Sequence, residues 1–200
     1  MTIQVFDVGE ITINFDASNI YDSWEESMRD ILDDEEFVDL DGVGGNRQFC
    51  PLEPIGITAL EELSRIESQQ ISDIQTGNRT ISDINDAEEE LWENERYEPY
   101  MIVDVGVRTL VMALLEIGSE PFSSCNGGSF SNDVRHAESY PLIAMYGPND
   151  TLSIIEKAAK KHACGLYGTG GFGGKQALVL YTDDVRKFIP LANELLRFIQ

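Results

Sequence analysis

Val103-Asp104-Val105-Gly106-Val107-Arg108-Thr109-Leu110-Val111-Met112-Ala113-Leu114-Leu115-Glu116-Ile117 is almost wholly apolar and ends at Gly118. It leads into Pro121-Phe122-Ser123-Ser124-Cys125-Asn126-Gly127-Gly128 and a polar loop, then a second apolar run, Leu142-Ile143-Ala144-Met145-Tyr146. Val103, Val107, Leu110, Val111, Leu114 and Ile117 recur at helical spacing, Asp104 and Arg108 stand four apart, and Gly118 sits where a C-terminal cap belongs. The spacing predicts a helix over Val103–Ile117, apolar nearly all round and therefore central. Phe122–Cys125 and Leu142–Tyr146 read as strands on either side of the loop, with the Cys-Asn-Gly-Gly turn at their rim.

Outward from this stretch the pattern continues to the C-terminus. Pro148-Asn149-Asp150 precede a helix over Leu152, Ile155, Ala159 and Ala163 that closes at Gly165. Its Lys157, Lys160 and Lys161 lie toward the negative end of the helix dipole. Gly165–Tyr167 and Lys175–Tyr181 form a strand pair across a Gly-rich turn. Asp183 or Asp184 opens a last helix striped by Val185, Phe188, Ile189, Ala192, Leu195, Leu196 and Ile199, with Pro190 marking a kink or a late start. The order α-β-β-α-β-β-α, with strands in pairs between helices, predicts an α+β fold: one mainly antiparallel sheet with helices packed on it.

The first half reads differently. Thr2–Phe15 alternates about Gly9 and predicts a β-hairpin. Ser18–Leu32 carries Ile20, Trp24, Met28 and Ile31 at helical spacing. Asp39-x-Asp41-Gly42 matches only a fragment of a calcium loop, without the distal Glu, so no metal is expected there. Residues 42 to 56 form a long Gly- and Pro-rich connection. Thr58 and Glu61 fit a capping box opening a helix to about Ile74, which Gly77-Asn78 ends. Another helix, from about Ser82 to Glu95, turns Ile84, Ala87, Leu91 and Trp92 to one side and Asp83, Asp86, Glu89, Glu90 and Glu93 to the other. We therefore expect residues 1–99 to be an acidic, mostly helical segment packed, partly through Trp24 and Trp92, on an α+β core formed by residues 100–200.

Charge divides the chain at the same place. Of the net −22, residues 1–100, with 26 Asp/Glu against 5 Arg, hold −21, and residues 101–200, with 10 against 9 Lys/Arg, hold −1. Such a field repels nucleic acid and anionic membranes and draws basic partners. No apolar run reaches the ~20 residues of a bilayer span. The N-terminus lacks the basic region of a secretory signal, so a cytoplasmic protein is expected. The three cysteines, Cys50, Cys125 and Cys164, are odd in number and widely spaced, unlike a disulfide framework.

Cys125 and His136 are the candidate nucleophile and base, because a thiolate needs a nearby imidazole and a glycine turn can aim amides at an anion. The same turn, Cys125, Asn126, Gly127 and Gly128, together with Phe172 on the second glycine loop, is the candidate ligand-binding set. His162 and Cys164 could complete a tetrahedral zinc set with Cys125 and His136, but no paired ligand spacing supports it. Gly168-Thr169-Gly170-Gly171-Phe172-Gly173 matches G-x-G-x-x-G, yet a strand rather than a helix follows, so it reads as a hairpin loop and no cofactor is expected. Ser123-Ser124-Cys125-Asn126-Gly127 resembles, over five residues, the Ser-Ser-Cys-Ser-Gly segment of the wybutosine-synthesis methyltransferases; Gly128 stands where that family has Arg. The charge makes a binding protein the leading expectation, its acidic surface set against a basic protein partner in the manner of an immunity, antitoxin or inhibitor protein. The alternative is an enzyme or small-molecule binder centred on Cys125, His136 and the glycine turns.

Overall fold

The computed structural model describes residues 4–6, 52–94, 98–130, 140–147, 149–172 and 175–198. The second strand of the expected N-terminal hairpin, the Trp24 helix, the Asp39–Gly42 loop, Cys50 and His136 lie outside the described residues. Among the described residues, five strands form one antiparallel sheet: β1 (Gln4–Phe6), β2 (Glu120–Cys125), β3 (Leu142–Gly147), β4 (Gly165–Phe172) and β5 (Lys175–Tyr181), in the order β1-β4-β5-β3-β2. Five described α-helices accompany them: α1 (Ile57–Thr76), α2 (Ile81–Glu93), α3 (Arg108–Glu116), α4 (Asn149–Lys161) and α5 (Phe188–Leu196). The fold is α+β, and from α3 onward it runs α-β-β-α-β-β-α, the order expected from the sequence.

Strand alternation sorts the side chains onto two faces. Ile143 and Met145 of β3, Leu166 of β4 and Leu178 and Leu180 of β5 point into the main core with Leu110, Met112, Ile155, Phe188 and Leu191 from the helices. Leu142, Ala144, Tyr167 and Val179 occupy the opposite face with Tyr140. β3 is buried along its whole length, which is why its run is continuously apolar rather than alternating. Both β3 and β4 are antiparallel to the intervening β5, so they are parallel to each other, and α4 crosses between them. At the β2 edge the register slips between Pro121 and Ser123, bulging Phe122, whose ring lies 5.1 Å from that of Tyr146.

α3 packs against α1 and α5, and α5 also meets α4. Leu60 and Leu63 of α1 belong to the same buried cluster as Leu110 and Leu114 of α3. A bond of 3.0 Å from Ser64 Oγ to Asn193 Oδ1 adds a polar tie between α1 and α5. α2 is pinned by Ile84, wholly buried with Ile71 and Val105.

Two local expectations are corrected, and of the two open for Pro190 one is met. The apolar run from Val103 is helical only from Arg108; Pro99–Ile102 is a 3-10 turn, and residues 103 to 107 form an irregular turn. Gly106 explains the break. It holds φ 101°, and a Cβ there would lie 2.5 Å from Val185 Cγ2, so the chain turns where only glycine fits. The capping box lies one helix later than expected. α1 starts after Gly56 without a side-chain cap, whereas Asp83 N donates to Thr80 Oγ1 at 3.1 Å and Thr80 N to an Asp83 carboxylate oxygen at 2.6 Å. Finally, Pro190 falls in the first turn of α5, after a 3-10 turn at Val185–Lys187, so it marks a late start. The C-terminal cap at Gly118 forms as expected: Gly118 N reaches Leu115 O and Ser119 N reaches Leu114 O, both at 2.9 Å.

Candidate functional site

The N-terminus of α3 is the polar centre of the described structure. Its first amides lack helical partners, and Glu67 of α1, fully buried, supplies them. Glu67 Oε1 accepts from Gly106 N at 2.7 Å and Arg108 N at 3.0 Å, while Oε2 accepts from Thr109 N at 2.9 Å and from the Thr109 hydroxyl. Glu67 stands in the apolar stripe of α1, at the helical spacing that continues Leu60, Leu63 and Ser64 toward Ile71. A carboxylate in a core stripe needs donors, and that was the signal available in the sequence.

Arg108 reaches the opposite way. It does not pair with Asp104. Its guanidinium grips Glu88 of α2 through both terminal nitrogens, and its Nε donates to Val103 O. Gln70 Nε2 of α1 also donates to Glu88 Oε1, at 3.2 Å. Asp104 instead accepts from the Asn126 amide at 3.2 Å. One buried carboxylate, Glu67, and one half-buried, Glu88, thus bind α1 and α2 to the start of the central helix.

The Cys-Asn-Gly-Gly turn packs against this same segment. Asn126, 4% exposed, donates from Nδ2 to Val105 O at 3.1 Å and accepts Gly128 N at 3.0 Å. Gly127 N donates to Cys125 Sγ at 3.3 Å. The side-chain and amide groups of the turn are therefore directed into the turn itself and the 103–107 segment. Cys125 is 6% exposed, and Gly127 and Gly128 are half-buried. Phe172 is the last residue of β4, opposite Lys175.

Cys164 is wholly buried, and burial pushes its thiol up to about 12. His162 is half-buried with Nε2 enclosed and without a hydrogen-bond partner among the described residues; burial first, then the cations of Lys161 and Arg197, hold its pKa below the usual value, against the opposing charge of Glu194. No group of three or more His, Cys, Asp or Glu side chains suited to a metal occurs among the described residues. Burial of both thiols has a measurable consequence. In the native protein, Cys125 and Cys164 should be alkylated about two orders of magnitude more slowly than in the unfolded chain, because reagent must wait for local opening. Peptide mass spectrometry over a time course reads both rates, and a native Cys125 rate equal to the unfolded one would show the turn to be open.

A hollow of about 360 Å³ opens beside the Arg108–Glu88 contact, between α2 and the 3-10 turn, lined among the described residues by Asn85, Glu88, Glu89, Met101 and Ile102. Next to it stands Tyr100, whose phenol is pushed above its usual range by burial first and then by the charges of Glu98, Glu88 and Glu62, with Arg108 opposing. Beyond the hollow the surface of α2 is acidic. Asp86, Glu89, Glu90 and Glu93 fall at i, i+3, i+4 and i+7 and are all exposed. None forms an ion pair among the described residues. The whole helix has six Asp/Glu and no Lys or Arg; among the described residues Glu88 is paired with Arg108, and Asp83 is held by Thr80 at the helix start. No helix among the described residues is long and apolar enough to cross a membrane. No protein-family model, curated protein or solved structure matches the chain.

Proposed function

We propose that the protein works by binding, presenting the acidic face of α2 to a basic protein partner. The observation that supports this reading is the uncompensated stripe Asp86, Glu89, Glu90 and Glu93 on a helix locked to the core through Ile84 and Glu88. Like charges at i, i+3 and i+4 repel by about 0.2–0.5 kcal/mol per pair, so the isolated protein bears a cost that a cationic partner removes. The rigid attachment matters too, since a preorganised face loses little entropy on docking. The excess of acid over base in residues 1–100 extends the attraction beyond contact range and speeds capture of a cationic target.

Neutralising the stripe tests the reading in two directions at once. The combined variant Asp86→Asn, Glu89→Gln, Glu90→Gln, Glu93→Gln should be more stable than the parent by about 1 kcal/mol at low salt. The same variant should fail to retain basic proteins that the parent retains from the source organism's lysate. Retention by the parent should itself fall as salt shortens the Debye length below the ~8 Å of physiological ionic strength. Equal retention by both proteins, or retention indifferent to salt, would reduce the stripe to a solubilising surface.

A further inference from the structure

The hollow between α2 and the 3-10 turn adds a specific feature to that face. We infer that it seats one cationic side chain, Arg or Lys, projecting from the basic partner. This rests on the acidic-face reading and names what the partner must carry. Met101 and Ile102 are half-buried and give the cavity apolar walls, against which the methylene stem of a long cationic side chain packs well. Glu89 at the exposed rim has no ion pair among the described residues, and Asn85 beside it is exposed and offers an amide oxygen. Among the described residues the lining contains no cation, and the nearby guanidinium of Arg108 is committed to Glu88 and to the Val103 and Met101 carbonyls. At about 360 Å³ the cavity is at the lower end of ligand-sized sites, suited to one side chain rather than a folded element. Anchors of this kind, a single residue in a pocket ringed by weaker contacts, commonly dominate an interface.

The test uses a fluorescein-labelled nona-arginine peptide titrated into the full chain at low salt, followed by anisotropy. Asn85→Trp fills the cavity from an exposed helical position and leaves the carboxylates of Asp86, Glu89, Glu90 and Glu93 in place. It should weaken binding about tenfold, and saturating peptide should shift the Met101 methyl resonance of the parent protein. Asn85→Trp binding as tightly as the parent, with Met101 unmoved and the neutralised stripe variant losing the peptide, would overturn the anchor while leaving the acidic face intact. Equal binding by all three proteins, or none by any, would overturn both. A nona-lysine peptide run in parallel tells whether the seat distinguishes guanidinium from ammonium.

Discussion

Replacing Glu67 by Ala is expected to destabilise the fold by about 3–5 kcal/mol, a large part of the stability of an ordinary domain. The mutation removes no large apolar surface. Its cost comes from the amides of Gly106, Arg108 and Thr109 and from the Thr109 hydroxyl, which lose their acceptor where water does not reach. Glu67→Gln should fall between the two, at about 2 kcal/mol, because one arm of the amide turns a donor toward groups that are themselves donors. Urea unfolding followed by circular dichroism measures both. A Glu67→Ala protein within about 1 kcal/mol of the parent would show that α3 does not depend on this carboxylate. The loss should also reach α2, since Arg108, whose own amide is one of those capped, holds Glu88.

Gly127→Ala is expected to be nearly as damaging, about 3 kcal/mol or more. Gly127 has φ 64°, and a Cβ there would lie 2.3 Å from the Tyr140 carbonyl carbon and 2.6 Å from Pro141 N. Those atoms are backbone at the entry to β3, so they cannot rotate away as a side-chain tip would. The variant should unfold at lower urea, and the alkylation of Cys125 should accelerate as the turn loosens. Normal stability together with a slow Cys125 would mean that the strand entry yields more readily than its hydrogen bonds suggest. Gly118→Ala makes the useful contrast: its φ of 81° is also unfavourable for Ala, but no atom lies within 4 Å of the added carbon. Its cost should be confined to about 1 kcal/mol of backbone strain.

What could be read from the residues divides along the range of the forces involved. The strand and helix order after Val103 follows from local periodicity and from glycine, proline and acidic stops, and the structure has that order. Val103–Ile117 shows where periodicity fails. A run that is apolar at almost every position fits a buried turn as well as a buried helix, and only the contact of Gly106 with Val185 decides between them. The Cys-Asn-Gly-Gly segment was legible as a turn at a strand end, but the reason for its glycine was not, because Tyr140 is thirteen residues away along the chain. The acidic face of α2 was legible as helical spacing. The hollow beside it was not, since its walls come from a helix and a 3-10 turn brought together by Arg108 and Glu88. Glu67 stood in plain view within an apolar stripe, and it carried its message only when read as a demand for donors.

The slipped register at Pro121 bears on how this molecule can meet others. Among the described strands β2 stands at one end of the sheet, and an outer strand ordinarily offers a row of amides and carbonyls on which another chain can build. This one is six residues long, opens on an exposed Glu120, lacks a donor at Pro121 and is bulged at Phe122. Such an edge is a poor template for strand addition, whether by a second copy or by an extended peptide. Recognition at this side of the sheet must therefore be read through side chains. That limit disfavours sheet growth from the β2 edge even at high concentration.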